Sequence, residues 1–64
     1  MNTGFRAAMY MVRKEGQVFG PFTSDEVKEM VKTACLTEED EISHQDIVNW
    51  QKLKHSNLWY QMKN

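Results

Sequence analysis

The stretch Phe19-Gly20-Pro21-Phe22-Thr23-Ser24-Asp25-Glu26-Val27 constrains the fold more than any other part of this chain. Gly20-Pro21 is a pair that punctuates secondary structure. Thr23 with Glu26 three residues later forms a capping-box pattern. The Thr23 hydroxyl can accept from the Glu26 N–H while the Glu26 carboxylate accepts from the Thr23 N–H. Phe22 and Val27 flank the cap at the spacing of a hydrophobic staple, which sets the angle at which the chain enters a helix. Val27, Met30, Val31 and Ala34 then recur at i, i+3, i+4 and i+7, one apolar helical face. The segment is expected to end a strand, turn the chain and start a helix from about Ser24 to Thr33. Asp25 and Glu26 in the first turn and Lys32 in the last suit the helix macrodipole.

Upstream, Met9 to Arg13 reads as a short strand and Val18 to Gly20 as its return. Lys14-Glu15-Gly16-Gln17 is the turn, with Gly16 supplying a positive φ. Tyr10 and Val12 share one face of that strand. Downstream, Thr37 to Asp40 reads as a single helical turn capped by Thr37, Glu41 to Ser43 as a strand, and Gln45 to Asn49 as loop. Trp50 to Leu53 reads as a last strand or docking segment, and Ser56 to Tyr60 as one more turn. The fold class is α+β: a small β-β-α-β domain with one helix packed on an antiparallel sheet. Residues 1–8 read as a flexible leader, 9–54 as the domain, and 55–64 as an aromatic tail.

Size and composition narrow the function classes. A chain of 64 residues forms one domain whose core barely offsets the entropy of ordering it, with no room for a buried catalytic cleft. Eight Lys and Arg against nine Asp and Glu give no basic stripe for nucleic acid. No apolar run is long enough to span a membrane. Cys35 is the single cysteine, so no intrachain disulfide and no zinc-type spacing exist, and a reducing, cytoplasmic setting is expected. No nucleophile–base pair, phosphate loop, cofactor motif or metal cluster stands out. Cys35 with His44 or His55 is too sparse a pattern for thiolate chemistry, and a non-enzymatic module is expected.

Gly20-Pro21-Phe22, a preceding hairpin and a following amphipathic helix resemble the GYF domain family, in particular its compact bacterial branch. The resemblance runs from about Tyr10 to Leu53. It implies an adaptor that binds proline-rich peptides on an aromatic patch. Aligned without gaps from Gly20, the namesake Gly-Tyr-Phe falls on Ala34-Cys35-Leu36, and the left-handed helix end falls on Ala34. The helix Trp of the family's groove falls on Met30, and two strand aromatics fall on Val12 and Lys14. Phe22 alone is aromatic among these five groove positions. The resemblance therefore implies a peptide surface of Tyr10, Val12, Phe22, Met30 and Cys35, richer in adaptable side chains than in rings. Its ligand would be a proline-containing or apolar segment of another protein.

Each of these residues also has a structural reading. Phe22 is either a groove wall or the staple on Val27. Met30 lies on the apolar helix stripe and Trp50 reads as a core anchor. Trp59 and Tyr60 either tuck back onto the sheet or form a self-association surface. The alternative function is accordingly a homodimerisation domain without a proline-rich ligand.

Overall fold

Glu15 and Gly16 make the first reversal of the chain. They join strand β1 (Met9–Lys14) to strand β2 (Gln17–Thr23), and both have positive φ, 52° and 81°. A two-residue turn of this hand matches the twist of the strands it connects. The computed structural model describes residues 8–63, so the expected leader lies, apart from Ala8, outside the described residues.

From the turn, Lys14 faces Gln17, Arg13 faces Val18 and Val12 faces Phe19. Continued regularly, that register would set Pro21 opposite Tyr10. Tyr10 instead faces Phe22, and Met9 faces Thr23. One extra residue of β2 is absorbed beside Met11, which is a β-bulge. Gly20 has φ 133°, and a Cβ there would lie 2.9 Å from the Tyr10 carbonyl oxygen and 3.0 Å from Met11 Sδ. Backbone conformation and space both demand glycine. Gly20-Pro21 therefore does not end the strand as the sequence suggested. β2 runs through the pair to Thr23, and its place at the sheet edge tolerates the proline.

Helix α1 (Ser24–Lys32) starts with the full capping box. The Glu26 N–H donates to Thr23 Oγ1 at 3.2 Å, and the Thr23 N–H donates to Glu26 Oε1 at 2.8 Å. Ala34 does not extend the apolar stripe, because the helix has already ended. It is exposed and left-handed, with φ 66°. The Cys35 N–H reaches the Met30 carbonyl at 2.8 Å and the Ala34 N–H reaches that of Val31 at 3.1 Å. These are the paired bonds of a Schellman end, for which glycine is the usual residue.

Two further strands complete an antiparallel sheet of order β2-β1-β3-β4: β3 (Glu41–His44) and β4 (Gln51–Lys52). Thr37–Asp40 is a β-turn rather than a helical turn. The capping is reversed as well, since the Asp40 carboxylate accepts the Thr37 N–H at 2.8 Å. A 3-10 turn (Leu53–His55) leads into helix α2 (Asn57–Lys63), longer than the single turn expected. Ser56, buried, caps it. Its hydroxyl donates to the Leu53 carbonyl at 2.7 Å and accepts the Trp59 N–H at 3.3 Å.

Val12, Val27, Leu36, Ile42, Leu53 and Leu58 form the core, with Tyr10, Phe22, Met30, Val31, Trp59 and Met62 packed on its margin. Leu58 and Trp59 thus dock the C-terminal segment onto the rest of the domain. Trp50 is not a core anchor. It is half-buried beneath the Arg13 guanidinium, whose carbon lies 4.4 Å from the ring centroid. A stack against Arg13 takes the place of the core role that its hydrophobicity suggested.

Two substitutions test the backbone argument. Gly20→Ala should lower unfolding stability by about 2 kcal/mol, from a disfavoured backbone conformation plus crowding against Tyr10 and Met11. Ala34→Gly should raise it by about 1 kcal/mol by relieving the left-handed alanine. Urea titrations followed by far-UV circular dichroism read both.

Candidate functional site

Residues directly opposite one another in paired strands project to the same face of a sheet. Tyr10 faces Phe22 on β2 and His44 on β3, so Phe22, Tyr10 and His44 form a row of rings across three strands. All three are half-buried. The Tyr10 and His44 rings meet edge to face, with centroids 5.5 Å apart and planes at 76°. This is a favoured aromatic geometry.

Each member is held by its own local device. Phe22 sits between the bulge and the capping box. Tyr10 lies in the central run of β1 that pairs on both sides. His44 ends β3, where the Gln45 N–H donates to the Met9 carbonyl at 2.9 Å and the Asp46 N–H donates to His44 Nδ1 at 3.3 Å. On the other side of β3, buried Ser43 ties down the following loop, its hydroxyl accepting the Asn49 N–H at 2.7 Å and donating to the Ile47 carbonyl at 3.4 Å.

The five residues expected to form a peptide surface separate into three groups. Tyr10 and Phe22 are adjacent. Met30 is half-buried on α1, against the same core, and Cys35 is exposed just past the helix end, with Thr33 Oγ1 3.4 Å from its Sγ. Val12 is a correction. It has no exposed surface and packs in the core with Val27 of α1, on the same face of β1 as Tyr10. Sequence reasoning missed His44, whose neighbours depend on the pairing of β1 with β3, and Phe19, which is 45% exposed beside the bulge. Of the C-terminal pair, Trp59 packs on the core while Tyr60 stays 62% exposed.

An open cleft of about 530 Å³ lies between α1 and α2. Val31, Trp59 and Met62 floor it, and Lys28, Lys32, Asp25 and Glu29 rim it. No member of the ring row lines it. Among the described residues no cluster of His, Cys, Asp or Glu is arranged to hold a metal, and no helix is long and apolar enough to cross a membrane.

Charge is gathered elsewhere, at the hairpin end of the sheet. Lys52 and Lys54 each donate to one oxygen of Glu39 at 2.9 Å and hold its carboxyl down at about 2. Arg13 bonds Glu41 at 2.7 Å and lowers that carboxyl also. Burial acts to raise the Asp40 carboxyl, but the Thr37 N–H and the Lys14 ammonium, 3.0 Å away, outweigh it and leave it below its ordinary value. Among the described residues the ring row has no ion pair of its own.

A family model described as GYF domain 2 matches residues 10–56, nearly three quarters of the chain, and the chain belongs to the GYF domain family. No curated protein and no solved structure gives a significant match. GYF domains are protein-interaction modules that bind proline-rich peptides.

The three lowered carboxyls fix the sign of a pH response. Each stabilises the fold above its unfolded value of about 4 and loses that contribution as the pH falls through its folded value. The urea midpoint should therefore drop as the pH falls from about 5 to 2. Glu39→Gln should remove part of that drop, and added salt should shrink it, because Glu39 is half exposed.

Proposed function

We propose that this chain is a peptide-docking module that holds an extended, proline-containing or apolar segment of another protein on the face built by Tyr10 and Phe22. Met30, half-buried on α1 against the same core, and Cys35, exposed past the helix end, are included in the proposed surface. The observation that carries the reading is the Tyr10–Phe22 pair, aligned by the bulge and rooted on the core. A polyproline II segment has no internal hydrogen bonds and docks by laying flat rings on flat rings. Rings pre-set by packing lose little entropy when the ligand arrives. Family membership supports the class of activity, and the half-buried rings are where we place it. The lone exposed Cys35 fits an adaptor working in a reducing, cytoplasmic setting.

The site holds fewer rings than the family's usual groove. A missing aromatic anchor commonly removes about 2 kcal/mol, so the loss of even two weakens a micromolar interaction about a thousandfold, to on the order of 1 mM. Self-association through Trp59 and Tyr60 has less support, because Trp59 is already engaged within its own chain.

An amide NMR titration with proline-rich peptides tests the proposal. Shifts are expected on Tyr10, Phe22, Met30 and Cys35. Phe22→Ala should weaken binding about 30-fold, equivalent to about 2 kcal/mol. Unchanged binding in a folded Phe22→Ala variant would remove the site assignment.

A further inference from the structure

From the place of His44 in the ring row we infer that it is the third wall of the peptide site and the donor that reads a backbone carbonyl of the docked segment. This rests on the peptide-docking reading and deepens it. Three observations support it. The first is position: Tyr10 stands between Phe22 and His44 in one register, with the His44 ring edge to face on Tyr10 at 5.5 Å.

The second is dimension. Neighbouring strands lie about 4.8 Å apart, so a row across three of them spans about 9.6 Å. One turn of polyproline II, three residues rising about 3.1 Å each, is about 9.3 Å long. A ligand lying across the strands would present one turn to the whole row.

The third is chemistry. Prolines have no N–H, so a proline-containing ligand offers mainly carbonyl acceptors, and its site must supply donors. The Asp46 N–H donates to His44 Nδ1 at 3.3 Å, which places the proton of the neutral ring on Nε2. Among the described residues Nε2 has no hydrogen-bond partner and is not fully buried, which leaves it a donor for the docked segment in this proposal. The loop that supplies Asp46 is itself tied down by Ser43, so the ring is held before the ligand arrives.

The experiment is a titration of the full chain with a polyproline peptide. It is read by amide shifts and by long-range nitrogen–proton spectra of the imidazoles, for wild type and for His44→Phe, which keeps a ring but loses the donor. The free wild-type protein should show His44 as the Nε2–H tautomer. The Nε2 signal should move on saturation, and His44→Phe should bind about 3- to 10-fold more weakly, the worth of one neutral hydrogen bond. Wild-type binding with an unmoved Nε2 signal, with an Nδ1–H tautomer, or with equal affinity in a folded His44→Phe variant would overturn the inference and leave the docking reading standing. The wild-type imidazole signals decide the matter even if the variant fails to fold. A wild type that binds no polyproline would instead sink the docking reading, and this inference with it.

Discussion

The single inserted residue at Gly20-Pro21 is the constraint on which the rest depends. It takes up one position of β2 against β1, and in doing so brings Phe22 rather than Pro21 opposite Tyr10. The same shift sets Thr23 beside Met9, where it can serve as the cap of α1. Strand pairing, helix direction and the ring row are thus three consequences of one backbone irregularity. That irregularity exists because a glycine can occupy φ 133° within 3 Å of a neighbouring carbonyl, where a side chain would collide.

Among the described residues six side chains make the core, and they come from β1, α1, the loop after it, β3, the 3-10 turn and α2. Leu58, from α2, is one of them, so the C-terminal segment belongs to the same packing unit as the sheet. Such an economical core leaves much of the structure to polar fastenings. Asp40 is the clearest example. Its side chain binds Thr37 and Lys14, and its carbonyl accepts the Leu53 N–H at 2.8 Å, joining turn, hairpin and C-terminal segment. Ion pairs collect at one end of the sheet and the ring row lies at the other.

Local chemistry was the legible part of the sequence. The capping box, the Gly16 turn and the helix from Ser24 all follow from residues within a few positions of one another, and the left-handed end at Ala34 was implied by the family resemblance. Family membership followed from the same region. What stayed hidden depends on pairing between distant residues. Val12 looked like surface because alternation fixes a face of the strand but not which face the helix covers. His44 was invisible as a ring-row member because its partner, Tyr10, lies far away in sequence. Trp50 looked like core because its apolar area was legible and its stack under Arg13 was not. Gly20-Pro21 looked like a stop because the propensity of the pair does not distinguish a strand end from a bulge.

The position of β2 at the sheet margin has a further consequence. An outer strand offers unpaired backbone groups on which another chain can build, and Val18 and Phe19 are exposed there. Pro21 contributes no N–H to such a template, and the inserted residue twists the strand away from the flat form that stacking requires. The feature that aligns the rings therefore also guards this small domain against aggregation along its open edge.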